Sequence, residues 1–325
     1  MSAPPEATVH ADRLTERARE LLARPLLDLV FEAATVHRAH HDPSKVQCAQ
    51  LLSVKTGGCP EDCGYCGQSA HFKTSVERER LLPTEEVLDA ARRAKESGAD
   101  RFCMGAAWRE VKDGADFDRV LDMVRGVKEL GLEACATLGM VDEANARRLQ
   151  DAGLDYYNHN LDTSRECYER IISTRGYDDR LQTLKNVRES GMRVCSGGIL
   201  GMGETAEDRA AFLGELAGLD PAPESVPINV LVPVEGTPLE EQDPLPWDDV
   251  VRVVAAARIL MPRSAIRLSA GRRELTDEAQ ALCFLAGANS MFVGDALLTT
   301  PNPTPESDAG LMARLGLVPL SRTPR

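Results

Sequence analysis

The sequence predicts a (β/α)8 barrel of the TIM type with a helical extension at its N-terminus. Three observations carry that prediction. Eight strand-like runs alternate with amphipathic helical segments over about 250 residues, the span such a barrel needs. Several helical segments open on a capping residue such as Thr84 and close on glycine, as at Gly98, Gly131, Gly153 and Gly191. Polar, chemistry-bearing residues sit at the C-terminal ends of strand-like runs, where barrels place their sites. A doubly wound open sheet is the alternative architecture.

The elements follow in order. The first dozen residues read as disordered. Residues 14–41 read as one helix, on the apolar positions Leu21, Leu22, Leu26, Leu27, Val30 and Phe31, ending at a polar cluster from His40 to Ser44. Strand-like runs cover 47–54, 101–106, 133–138, 156–160, 193–199, 225–232, 265–269 and 290–293. Helical patterns cover 84–97, 117–130, 143–152, 178–190, 206–216, 247–260 and 277–285. From Pro301 the chain is Pro-rich, then weakly helical. The expected plan is a tail and helix over 1–45, a barrel domain over 46–300 and a C-terminal tail over 301–325.

Composition narrows the function. Of 325 residues, 43% are hydrophobic and 27% charged, which is ordinary for a globular chain that needs no disulfides. The formal charge of −13 argues against a nucleic-acid partner, which needs a basic face. No apolar run approaches the roughly 20 residues of a membrane span. The N-terminus has no apolar signal region, so a cytoplasmic location is expected. Thiols stay reduced there, and nine cysteines fit a disulfide framework poorly, so several are expected to bind metal.

The strongest motif follows the first strand-like run. Cys59, Cys63 and Cys66 are spaced C-x3-C-x2-C in a glycine-rich loop. A structural zinc site wants four ligands, often as two C-x2-C pairs. His71 lies close enough in sequence to serve a rival zinc reading. Three thiolates on a four-iron cube instead leave one iron open to an amine and a carboxylate. The spacing, with Tyr65 just before the third cysteine, resembles the radical S-adenosylmethionine superfamily. That resemblance implies a [4Fe–4S] cluster on Cys59, Cys63 and Cys66, with S-adenosylmethionine as the source of a carbon radical. It implies that the G-x-I-x-G-x-x-E segment, with Gly197, Ile199, Gly201 and Glu204, passes close to the adenine. It also implies that Gly105 and Ala106 face the methionyl amine.

Three further cysteines lie inside strand-like runs. Side chains alternate along a strand, so Arg101 shares a face with Cys103, Glu133 with Cys135 and Thr137, and Arg193 with Cys195. Arg267 and Ser269 share a face of the seventh run. Polar faces inside a barrel need partners, which a metal cluster and a substrate would supply. The plain alternative is that free cysteine is commonly buried.

The segments 55–63, 101–108, 157–163, 227–229 and 298–300 resemble the biotin synthase family. The likeness runs from about Val46 to about Thr300. It implies a second, [2Fe–2S] cluster on Cys103, Cys135, Cys195 and Arg267, taken as the sulfur source. It implies that Asp162 accepts from ribose hydroxyls. It implies that Asn158, Asn160, Asn229, Thr299 and Thr300 bind dethiobiotin, the amides matching its cyclic urea, with Asn160 also touching the nucleotide. The implied reaction inserts sulfur between a methylene and a methyl carbon and uses two S-adenosylmethionine per turnover. The implied partners are a flavodoxin or ferredoxin-type reductant and a second copy in a homodimer; because such carriers are acidic, docking is expected at a local basic patch around Arg92, Arg93 and Lys95. Cys48, Cys167 and Cys283 receive no role, nor do His10, His37, His40, His41 and His71.

Overall fold

The computed structural model describes residues 6–320, with side chains from Ala11 onward. Nine parallel strands form the barrel: β1 (Lys45–Lys55), β2 (Arg101–Ala106), β3 (Glu133–Thr137), β4 (Tyr156–Asn158), β5 (Arg193–Cys195), β6 (Gly198–Leu200), β7 (Ser225–Val230), β8 (Ala265–Leu268) and β9 (Ser290–Val293). They pair in chain order except that β5 and β6 share one place beside β7, and β9 returns to β1 with Gln47 opposite Ser290, which closes the ring. The open-sheet alternative is thereby excluded.

One expected strand is two. The run predicted over 193–199 breaks between Cys195 and Gly198, and both halves pair with β7. The cause lies in β7 and in the break itself. Pro227 has no N–H for the ladder. Gly197 crosses its carbonyl so closely that a Cβ there would lie 1.9 Å from the Pro227 oxygen.

Outer helices follow the strands: α3 (Thr84–Glu96), α4 (Ala115–Glu129), α5 (Glu143–Asp151), α6 (Arg165–Ile171), α7 (Tyr177–Glu189), α8 (Ala206–Gly218), α9 (Trp247–Leu260) and α10 (Asp277–Leu285). The short α6 contains Cys167, whose surroundings read as a helical run in the sequence. The helix expected over 14–41 is α1 (Glu6–Leu22) and α2 (Leu26–His40), broken at Pro25, because a residue before proline is driven from helical backbone. Residues 6–12, expected as disordered, belong to α1. That helix lies against α8, where a Cβ on Gly214 would meet Thr15 Oγ1 at 2.2 Å. Among the described residues no helix is long and apolar enough to cross a membrane.

The expected C-terminal tail carries structure. A two-residue hairpin, β10 (Ala296–Leu297) and β11 (Thr300–Pro301), precedes α11 (Pro305–Leu315). β12 (Val318–Pro319) then pairs with the start of β1. Buried Arg272 holds α11 in place by donating to both Asp308 oxygens at 2.9 and 2.8 Å.

Apolar packing between barrel and helices forms the main core. The barrel interior is a smaller cluster of Ala49, Cys103, Cys135, Tyr156, Cys195, Phe292 and Leu297. Beneath the thiols lies a polar floor. Fully buried Arg101 donates to Glu133 Oε2 from Nε and Nη2 at 3.2 and 3.1 Å, and its guanidinium lies 3.5 Å from the Tyr156 ring centre. Arg193 covers the same ring at 4.1 Å.

The seam between α2 and α9 buries His37 and half-buries His41. Arg258 of α9 donates to the carbonyls of Gly287 and Ser264. The His37 and His41 rings lie 5.5 Å apart beside it. Burial, then the Arg258 charge, pushes His37 down to about 3 and His41 to about 4. Neither nitrogen of His37 has a hydrogen-bond partner. An unfolded histidine titrates near about 6.5, so below that pH the unfolded chain takes up a proton that the folded chain refuses. Stability should therefore fall as the pH drops from about 6.5 toward 4, by roughly 1.4 kcal/mol per pH unit for His37 alone. Urea unfolding across that range should show a shallower decline for His37→Phe, and parallel curves would refute the assignment.

Candidate active site

The C-x3-C-x2-C loop is shaped by its own backbone. Cys59 N–H donates to Gln68 O at 2.9 Å, Ala70 N–H to Cys59 O at 2.7 Å and Cys66 N–H to Cys63 O at 2.9 Å. Straps to the α6–α7 connection fix its outer side. Gly64 N–H donates to Ile171 O at 3.0 Å. The N–H groups of Ser173 and Thr174 donate to Asp62 Oδ1 at 2.9 and 3.1 Å. Burial opposes ionisation of Asp62, but these hydrogen bonds outweigh it and hold the carboxyl down at about 2. Burial pushes the Cys63 thiol up to about 12 and Cys66 to about 11. Any metal taken there must displace those protons.

Asp162 links the loop to the barrel. Tyr65 Oη donates to Asp162 Oδ2 at 2.6 Å, and Arg180 Nη2 donates to the same oxygen. The Asp162 backbone exchanges hydrogen bonds with Gly197 O at 3.1 Å and Ile199 N at 2.7 Å. Its φ of 69° lies in the left-handed region, which aspartate tolerates better than most residues.

The strand register brings the inner residues together as alternation predicts. Cys103 lies opposite Cys135, and Asn158 opposite Cys195, where Asn158 Nδ2 donates to Cys195 Sγ at 3.2 Å. The three thiols form one hydrogen-bonded row. Hydrogen bonding with Cys103 and Cys195 raises Cys135, and the bond with Cys135 lowers Cys195. Burial raises Cys103, yet the Cys135 hydrogen bond and the Arg267 and Arg101 charges bring it below its ordinary value. Arg267 is fully buried. Its Nε donates to Ser290 Oγ at 2.9 Å and its Nη2 to Gln47 Oε1 at 3.1 Å, whereas Nη1 has no partner.

These donors suit the inner cluster that the resemblance implies. They offer three thiols in a row and one buried nitrogen with no protein partner. Among the described residues no three His, Cys, Asp or Glu side chains gather as a single metal ion would need.

One cavity of about 330 Å³ reaches both cysteine sets. Its lining includes Cys59, Cys63 and Cys66 together with Cys103, Cys135 and Arg267. Tyr65, Gly105, Ala106, Asn158, Asn160, Asp162, Ile199, Asn229, Thr299 and Thr300 also line it. Cys195 is not in the lining; Asn158 covers its sulfur. Gly197, Gly201 and Glu204 do not reach the cavity either. Glu204 instead accepts from the N–H groups of Gly201 and Met202 at 2.9 and 2.7 Å and pairs with Arg209, so it braces the loop. Asn229 is held at both ends, accepting from Ala270 N–H at 3.1 Å and donating to Gly198 O at 2.9 Å. One amide proton remains for a ligand.

Among the lining residues that were not anticipated are His159, Arg175 and Arg180. His159 is buried with Nε2 unpartnered, and burial, then Arg180, drives its pKa far below the usual range. Period-two alternation assigns it to the face opposite Asn158 and Asn160, which hid it. The basic patch expected for docking is largely spent. Arg92 pairs with Glu85 and Asp89, and Lys95 donates to Leu130 O.

Comparison with known proteins agrees with this geometry. Residues 53–216 match the Radical SAM superfamily, and residues 227–318 match the Biotin and Thiamin Synthesis associated domain. The chain is 61% identical to a biotin synthase of Thioalkalivibrio sulfidiphilus over 99% of this chain and 94% of that protein. It is 62% identical to one of Acidiphilium cryptum over 94% of each. The fold resembles that of methylornithine synthase, with a TM-score of 0.77 at 21% identity over 96% of this chain and 97% of that one. A barrel of this closure and register, with identity near three residues in five along almost its whole length, leaves one assignment: the chain belongs to the biotin synthase family of radical S-adenosylmethionine enzymes.

Proposed function

We propose that the chain converts dethiobiotin to biotin, inserting one sulfur between a methylene and a methyl carbon and using two S-adenosylmethionine per turnover. The observation that carries this reading is the single cavity bordered by both cysteine sets. A substrate lying in it meets the three-thiol loop on one side and Cys103, Cys135 and Arg267 on the other.

Residue roles follow from donors and acceptors. Cys59, Cys63 and Cys66 would hold a [4Fe–4S] cluster, which supplies one electron to a sulfonium and so releases a carbon radical able to take hydrogen from unactivated carbon. Cys103, Cys135, Cys195 and Arg267 would hold the [2Fe–2S] cluster that supplies the sulfur. Guanidinium is protonated below about pH 12 and is an odd ligand. Here Ser290 and Gln47 occupy its other nitrogens and leave Nη1 as the free one.

Asp162, held by Tyr65 and Arg180, faces the nucleotide ribose with Ile199 beside it. Gly105 and Ala106 line the methionyl side. Asn160 gives its carbonyl oxygen to Gly197 N–H and keeps its NH2 group for a ligand. That group and the spare Asn229 proton suit a ureido oxygen, with Asn158 close by. A site built this way leaves buried groups unpaired when the urea is absent, which is the basis of selection. Thr299 and Thr300 serve the distal end of the substrate. Gly197, Gly201 and Glu204 act through the loop they shape.

The reductant is a flavodoxin or ferredoxin, and the chain pairs as a homodimer in the cytoplasm. Leu27 and Phe31 of α2, about three-quarters exposed at 74% and 76%, support the pairing. The barrel domain spans 46–300, flanked by the segments 1–45 and 301–325.

Anaerobic reconstitution with iron, sulfide, reductant, S-adenosylmethionine and dethiobiotin should yield biotin. Cys59→Ala should release no 5′-deoxyadenosine. Cys103→Ala should keep the outer cluster's spectrum and some 5′-deoxyadenosine release but form no biotin; wild-type biotin yield from it would remove the inner site from the reaction. Asp162→Ala leaves Arg180 buried without its carboxylate, which should lower unfolding free energy by about 3–5 kcal/mol. Asp162→Asn, which keeps the backbone preference, should lose less in the same denaturant titration.

A further inference from the structure

The β10–β11 hairpin sits over the cavity, and its tip breaks a local rule. Two residues, Leu298 and Thr299, join the strands, with Leu297 opposite Thr300 and Ala296 opposite Pro301. Tight hairpins of this length need positive φ, which glycine, asparagine or aspartate supply. Here leucine takes it, at φ 53°. A branched apolar side chain gains nothing from that backbone, so something outside the turn must hold it there.

A second rule is broken across the cavity. Gly105 lies inside β2, where glycine weakens a strand, and its backbone is ordinary extended chain that any residue could adopt. The two exceptions meet. A Cβ on Gly105 would lie 2.6 Å from Leu298 Cδ2, so the leucine side chain fills the room that the glycine leaves. Gly105 stands two residues beyond Cys103 on the same strand face. The tip is anchored on its other side by Leu297, which is buried in the interior cluster with Cys103 and Cys135. Leu298, Thr299 and Thr300 all line the cavity.

We propose that Leu298 is a positioning residue, pinned in the socket at Gly105, that holds the hairpin tip across the cavity and so sets Thr299 and Thr300 against the substrate. The role assigned to the threonines rests on the function proposed above; the pinning does not. Leu298 carries no polar group, so its loss should act through the position of the hairpin tip and fall chiefly on dethiobiotin affinity.

The test is a double-mutant cycle on the reconstituted holoprotein. Leu298→Ala should raise the KM for dethiobiotin by roughly ten- to a hundredfold, the scale of a small misplacement of binding groups. Because Gly105 also lies on the methionyl side, the apparent affinity for S-adenosylmethionine is read in parallel and should change less than the KM for dethiobiotin. Gly105→Ala should raise the same KM in the parent protein and add nothing in the Leu298→Ala background. Amide hydrogen exchange over 296–300 supplies a readout that needs no turnover, and it should quicken in both single variants. Leu298→Gly separates side chain from backbone: it suits the turn, yet its exchange should also quicken. An equal cost of Gly105→Ala in both backgrounds would overturn the proposal, because the glycine would then serve another neighbour. So would unchanged exchange in Leu298→Ala and Leu298→Gly. Absence of biotin from the parent protein, with the exchange pattern intact, would count against the substrate and for the pinning.

Discussion

One carboxylate oxygen ties the cysteine loop to the barrel. Asp162 Oδ2 accepts from Tyr65, which belongs to the loop, and from Arg180, which belongs to α7. The backbone of the same residue joins the end of β4 to the Gly197–Ile199 segment. Both partners of the ion pair are about 4% exposed, so neither charge is solvated by water and each depends on the other. Break the node and the loop, the strand end and the helix lose their common reference. The outer site is therefore precise because a buried charge cannot afford to move.

The inner site rests on a different constraint. Closing nine parallel strands leaves every second side chain pointing inward. An ordinary barrel fills that space with branched apolar residues. This one places thiols, an arginine and an asparagine there, over a floor of Arg101, Glu133 and Tyr156. The floor satisfies itself through an ion pair and ring stacking. The layer above does not, since Arg267 Nη1 and His159 Nε2 have no partner. The contrast separates a structural layer from a chemical one within the same ring of strands.

Much of this was legible in the sequence. Period-two alternation placed Arg101, Cys103, Glu133, Cys135 and Arg267 inside the barrel, and the structure brings them there. The cysteine spacing marked the outer loop. Local pattern fails where a contact is non-local. Nothing around Pro227 announces that Gly197 crosses it and splits a strand. Pro25 was available as a helix break, but the apolar periodicity on either side is continuous enough to mask it. The written form of the 197–204 segment does not say that Glu204 turns back onto its own loop. His159 illustrates the reverse error: alternation holds only while the strand lasts, and β4 ends at Asn158. Beyond that residue, facing is set by the Asp162 node rather than by pleat.

The unpaired groups also bear on how stability is distributed. A buried polar atom without a partner costs on the order of 1–3 kcal/mol, and the cavity holds two such nitrogens in Arg267 and His159. Packing elsewhere must offset that deficit, and the Arg258 carbonyl network lies in the layer outside the barrel. A guest that engages Arg267 Nη1 and donates to His159 Nε2 would add its binding free energy directly to folding. The site and the fold are then thermodynamically coupled, because what binds there completes the core.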